Sequence, residues 1–304
     1  MSAVMSLLKK EYIEHKAAFL YVPGILIFLL LLAFSTAVWR NSANLHLVNG
    51  VTEMGLPQSG IDIFNGIFAV SILGWTGYLT LMLFFYFASS FSSDRKNNSL
   101  LFWKSLPVSD LNIMGSKTLA GLTVFPLIIL IWSFVGALAG FLALSLASLV
   151  SPVIGQLNSG TNFWTTINIE ISALVFMVVT LLWYLPLFAF VGFLGTLMRS
   201  WAVPAFILIL AMISGLEAIV VFGDDGPISR LLEQRFNAPF KSLEGVSPGA
   251  GNMMPDGIHS IVSVGNFVPA YLAQVDWLGM VLGWFVAGVF VYLASEYRRR
   301  RLAA

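Results

Sequence analysis

Apolar residues fall in six long runs along this chain, at residues 21–38, 67–91, 119–150, 167–197, 201–222 and 277–294, with polar segments between them. A bilayer core about 30 Å thick takes about 20 apolar residues as a helix, and each run reaches or approaches that length. Within a run Leu, Phe, Val and Ala occupy nearly every face, as they do in a helix surrounded by lipid or by other helices. An outer-membrane barrel would instead show alternation in segments of about ten residues. The pattern predicts an all-α integral membrane protein with six transmembrane helices, organised as a single transmembrane domain over residues 1–304.

The segments between the runs carry patterns of their own. Over residues 1–20, Val4, Leu7, Leu8, Tyr12 and Phe19 fall near one helical face, with Lys9, Lys10, Glu11, Glu14 and Lys16 mostly off it. This predicts an N-terminal helix lying in the interface, serving as an anchor or as a handle for a partner. The second and third runs exceed a perpendicular crossing at 1.5 Å per residue, so they tilt, bend or stand out as stalks under the loop at residues 92–110. Residues 223–276 form the largest non-spanning region, and within it "ISRLLEQRF" places Ile228, Leu231, Leu232 and Phe236 at helical spacing, as a short amphipathic helix would. The following "GIHSIVSVGNFVPAYLAQ" is apolar but interrupted by Gly265 and Pro269, which predicts a re-entrant segment and not a crossing. "GALAG" at residues 136–140 and the series Gly279, Gly283, Ala287 put small residues on one helix face for close packing within or between subunits.

Composition agrees with this reading: 58% hydrophobic residues, 10% charged residues and a mean hydropathy of +0.86 exclude an ordinary soluble protein. The net charge of +1 hides an asymmetry. With the N-terminus inside, Lys9, Lys10, Lys16, Arg95, Lys96, Lys104, Lys117, Arg199 and Arg298, Arg299, Arg300 and Arg301 face the cytoplasm, against Arg40, Arg230, Arg235 and Lys241 outside. Basic residues near span ends are retained on the cytoplasmic side, so both termini are expected there and residues 223–276 form an external loop. The closing "RRRR" then reads as an interfacial anchor and not a nucleic-acid patch. Cysteine is absent, which removes disulfides and thiolate chemistry. The first run is longer than a signal-peptide core, which predicts an uncleaved span.

Candidate chemistry is sparse. His15, His46 and His259 lie outside the runs, where a lone histidine is expected to be solvated. Glu170 and Glu217 fall within spans, near their outer ends; an ionisable residue there is a functional candidate by default, and Glu217 is the stronger candidate for lining a polar cavity. "GQLNSGT" at residues 155–161 spaces two glycines as in a phosphate loop but lacks the lysine, so any nucleotide-driven work falls to another polypeptide. The loop "LFWKSLPVSD" at residues 101–110 is the chief candidate for transmitting a signal. A short helix over residues 98–106, ended by Pro107 and followed by Ser109 or Asp110 as the cap of the next helix, gives a helix, a sharp break and a helix. That shape suits docking into a groove on a cytoplasmic protein, and equally an interfacial turn with Trp103 at headgroup level and Lys104 snorkelling.

The run "SSDRKNNSLLFWKSLPVSDLNIMGSKTLAG" at residues 92–121 resembles the permease subunits of type-2 ATP-binding-cassette exporters. The coarser plan of an N-terminal interfacial helix, six spans, both ends inside and a large last external loop extends the resemblance over the chain. The resemblance implies a bacterial inner-membrane permease that pairs with a second copy of itself or a sister permease and with two ATP-binding subunits, which hold the ATP and magnesium. It implies that the chain is not catalytic by itself. Its coupling element would be Leu101, Phe102, Trp103, Lys104, Ser105, Leu106, Pro107, Val108, Ser109 and Asp110, with Lys9, Lys10, Glu11 and Arg199 as secondary contacts. The second and fifth spans, with Phe84, Phe85, Phe87 or Phe222, would line a substrate cavity at the interface between the two permeases. The alternatives are a non-transporting scaffold or sensor using the same loop, and an intramembrane enzyme.

Overall fold

Two prolines shape the first and third crossings in the same way. The computed structural model describes residues 3–40, 60–96, 110–150, 163–198, 201–220, 226–244 and 264–303. Helix α1 (Ala3–Lys16) passes through a π-turn (Ala17–Tyr21) into α2 (Val22–Trp39), and α4 (Asp110–Leu119) passes through a second π-turn (Ala120–Val124) into α5 (Phe125–Val150). Pro23 and Pro126 each stand just past a π-turn. Proline lacks the N–H and its ring crowds the carbonyl four residues back, and widening the preceding turn relieves that crowding without breaking the helix. The last bond of each π-turn spans five residues, from the Val22 N–H to Ala17 O and from the Phe125 N–H to Ala120 O. The N-terminal helix is thus continuous with the first crossing, where the residue pattern had predicted a separate interfacial element.

The remaining helices are α3 (Gly60–Lys96), α6 (Phe163–Met198), α7 (Ala202–Val220), α8 (Pro227–Glu244), α9 (Val264–Gln274) and α10 (Trp277–Ala303). Among the described residues there is no strand, and six helices are long and apolar enough to cross a membrane. The chain is a multi-pass membrane protein. The amphipathic helix expected from "ISRLLEQRF" is α8, extended to Glu244. Of residues 257–274, expected to be too broken to span, 264–274 form the 11-residue helix α9, which is too short to cross, and 257–263 lie outside the described residues. At 37 residues α3 is about 55 Å long, well beyond a perpendicular crossing.

Helix α6 is the axis of the bundle. Its apolar window is 61% buried, against 17% for the first crossing and 11% for α7, so those two leave most of their surface to lipid or to another chain. Around α6 pack α3, α5, α7, α8, α9 and α10. The core is strongly aromatic: Phe87 stacks on Phe188 at 5.6 Å, and Phe176 meets Tyr271 at 5.7 Å. Helices α3 and α6 come close together at Gly195, where an added Cβ would stand 2.5 Å from the Ala88 carbonyl oxygen.

Candidate functional site

Three assemblies of polar and aromatic groups lie along the bundle. The first joins the N-terminal helix to the helix that leaves the 97–109 segment. Lys117 Nζ on α4 donates to Glu11 Oε1 on α1 at 2.8 Å, with the lysine side chain 1% and the glutamate 3% exposed. The Tyr86 hydroxyl of α3 faces both Glu11 Oε2 at 3.1 Å and the Lys117 carbonyl at 3.0 Å. Edge-on to the Tyr86 ring lies His15, at 4.9 Å, half-buried and not solvated as expected of a lone histidine. Next to this knot the two π-turns meet: Phe19 of the first stacks on Phe125 at the end of the second, with centroids 4.0 Å apart and planes within 13°. The Tyr78 hydroxyl donates to the Ala18 carbonyl, engaging the widened turn. Ligand atoms of Glu11, Glu14 and His15 lie within 4.8 Å of one another, but the buried Lys117 ammonium already supplies the cation that Glu11 would seek.

The second assembly fastens α8 over the other end of the bundle. Glu217, near the end of α7, accepts from the backbone N–H groups of Ile228 at 2.7 Å and Ser229 at 2.6 Å, and from the Ser229 hydroxyl. These are unpaired donors of the first turn of α8, so the carboxylate acts as a helix cap supplied from another helix. Farther along, Pro239 offers no N–H to the carbonyl of Arg235, and that oxygen accepts from Trp183 Nε1 at 2.8 Å instead. The Tyr184 hydroxyl donates to the next carbonyl, Phe236 O, at 2.7 Å. The Arg235 guanidinium lies 4.2 Å from the Trp183 ring centroid and donates to Gly279 O at 3.1 Å. A Cβ at Gly283 would overlap it, so the Gly279–Gly283 face serves as the seat of this arginine. Burial draws the Arg235 pKa below the ordinary guanidinium value while Asp276 opposes the shift, and the group stays a cation near neutrality.

Between these ends lies a cavity of about 280 Å³ bounded by α3, α6, α7 and α8. Phe84 on α3, Phe176 and Phe188 on α6, Phe206 on α7 and Phe236 and Phe240 on α8 form its aromatic wall, and Thr76, Thr80, Thr180 and Tyr184 also line it. Phe84 meets Phe206 edge-on at 5.2 Å, so the second and fifth crossings touch at this wall.

Against these positions the sequence-based candidates divide. Phe84 lines the cavity. Phe85 points outward at 48% exposure, and Phe87 is buried in the core against Phe188. Glu217 holds α8 and is not among the cavity's lining residues. Glu170 accepts a hydrogen bond from Ser133 at 3.0 Å across the α5 and α6 contact. Glu11 is buried on Lys117 and offers nothing to an outside partner, whereas Lys9 is exposed and Lys10 pairs with Glu14 at 3.5 Å. Of the candidate coupling element only Asp110 is described, as the first residue of α4; residues 101–109, Arg199 and Phe222 lie outside the described residues. The chain matches no protein-family model and has no significant match among curated proteins or solved structures.

Sequence reasoning missed the Glu11–Lys117 pair because 106 residues separate the partners. A usable signal was present at α8, where a proline follows Arg235 by four positions and so leaves its carbonyl seeking a donor. Glu217→Ala should release the start of α8: amide hydrogen exchange at Ile228 and Ser229 is expected to quicken by about tenfold, with the second half of the helix little changed. Unchanged exchange at both amides would show that the cap contributes nothing.

Proposed function

We propose that this chain is the transmembrane permease subunit of an ATP-driven exporter, coupling ATP binding and hydrolysis in a separate subunit to movement of a substrate out of the cytoplasm or the inner leaflet. The observation that carries the reading is the cavity between the second and fifth crossings, closed at one end by α8. An enzyme would place acids, bases or a nucleophile there, and the wall carries only threonine and tyrosine hydroxyls among apolar side chains.

In this reading the N-terminus and the basic end of α10 face the cytoplasm of a bacterial cell, and the ATP-binding subunit docks on residues 101–110. Asp110 begins α4, and α4 is tied to α1 by the buried Glu11–Lys117 pair, so a push on the loop moves α1 and α4 as one lever. The stacked π-turns at the end of that lever join it to the first and third crossings. Single-turn π-bulges recur at functional positions in helices, and here two stand side by side. The lever would displace α3, α6 and α7 around the cavity while α8 is lifted at its Glu217 and Arg235 attachments. Substrate affinity must differ between the two states for the cycle to drive export. A second copy or a sister permease would cover the exposed flank of α7.

Changing Leu101, Trp103 and Leu106 together to Asp should abolish co-purification of the ATP-binding subunit while membrane insertion persists. Undiminished capture would refute docking at this loop. A complex that captures the subunit yet shows no substrate-stimulated ATPase activity would favour the scaffold.

A further inference from the structure

A groove runs along the flank of the bundle between α4 and α10, lined also by α6. Gly115 and Leu119 of α4 stand on one side of it, and Trp284, Gly288 and Tyr292 of α10 on the other. Glycine keeps it open: nothing lies within 4 Å of where a Cβ would stand at Gly115 or at Gly288. Leu119 is 48% and Tyr292 61% exposed, so the groove opens sideways, toward the bilayer. Trp284 and Tyr292 are eight residues apart on α10. That is about 12 Å along the axis, close to the depth of one leaflet of a core about 30 Å thick.

The wall offers little to a polar ligand. Thr118 turns its hydroxyl back to the Met114 carbonyl at 2.9 Å, and the Trp284 indole N–H donates to the Leu182 carbonyl at 3.1 Å. Among the described residues, none that lines the groove is charged. Its volume is about 390 Å³. An apolar cavity of about 150 Å³ holds the six carbons of benzene, so a groove of this size takes an alkyl chain of about fifteen carbons.

Charge stands just beyond one end. Arg299 follows Tyr292 by seven residues, so it lies on the same face of α10, about 10 Å farther along. The Arg299 and Arg300 side chains are 72% and 80% exposed, and both bond to the one carboxylate of Glu296, at 3.0 and 2.9 Å. Two guanidinium groups sharing one acid leave a net positive charge there. A hydrocarbon groove that ends at exposed arginines is complementary to a lipid with an anionic headgroup.

We infer that the groove between α4 and α10 holds one acyl chain of an anionic phospholipid whose phosphate is met by Arg299 and Arg300. A lipid seated there touches α4, α6 and α10 at once. The inference rests on the membrane crossings and stands apart from the exporter reading.

The test is native mass spectrometry of the full chain in detergent, titrated with phosphatidylglycerol or with phosphatidylcholine carrying the same acyl chains. One bound phosphatidylglycerol per chain is expected, held at least tenfold more tightly than phosphatidylcholine. Gly115→Leu with Gly288→Leu fills the groove with side chains that suit a helix better than glycine does, and should abolish that bound lipid. Arg299→Gln, Arg300→Gln and Glu296→Gln together remove one net positive charge and leave the groove intact. They should cut the preference for phosphatidylglycerol by about fivefold. Equal retention of the two lipids by the wild type, or tight phosphatidylglycerol binding that the leucine variant leaves unchanged, overturns the proposal. So does a wild-type dimer that the leucine variant converts to monomer with no loss of lipid, because the groove is then the seat of a second copy.

Discussion

Lys117→Ala should destabilise the protein by about 3–5 kcal/mol, because it leaves the Glu11 carboxylate buried without its cation. Glu11 is 3% exposed, and the Tyr86 hydroxyl that faces its other oxygen is neutral. The measurement is equilibrium unfolding of the purified chain in mixed micelles. The paired replacement Lys117→Met with Glu11→Leu should recover most of the loss, since two apolar side chains of similar length remove both charges at once. If Lys117→Ala alone unfolds like the wild type, the carboxylate has found water or a proton, and the two helices are not held by charge. The double variant also separates structure from function. On the lever reading it folds, yet it couples ATP hydrolysis to transport more weakly, because apolar packing leaves α1 and α4 freer to slide than a hydrogen-bonded pair of fixed geometry does.

A second large effect is expected at Gly195. Gly195→Ala puts a methyl group 2.5 Å from the Ala88 carbonyl oxygen, inside any allowed contact, and the obstacle is backbone that no rotamer change can clear. Helices α3 and α6 must part at that point, which costs about 1–3 kcal/mol for alanine and more for leucine. Gly121→Ala provides the contrast. Its new methyl would meet the Phe87 ring, a side chain, so trimming that neighbour with Phe87→Leu should relieve the Gly121 variant. Ala88→Gly should do nothing for Gly195→Ala. Unfolding midpoints of the single and paired variants decide the matter, and a rescue by Ala88→Gly would show that α3 and α6 are spaced by side chains after all.

What the amino-acid sequence determined by itself were local properties: six crossings, the helical character of residues 228–236 and the absence of cysteine chemistry. Each follows from length, period or composition, quantities that bilayer thickness and helix geometry read one segment at a time. The pattern went astray where residues distant in sequence meet. Glu11 was placed with the other charges off the apolar face of α1, yet it is buried because Lys117, 106 residues away, stands opposite. Glu217 resembled a pathway acid, and its partners are backbone N–H groups of a helix that the linear order only places after it. Phe84 and Phe85 are neighbours in sequence, and only the packing of α7 decides that one ring faces the cavity and the other faces out. The crossings are apolar on nearly every face, so no periodicity marks an inward side. The tertiary structure alone decided which faces meet, through close glycine contacts, proline-widened turns and the few polar groups that must find one another where water is absent.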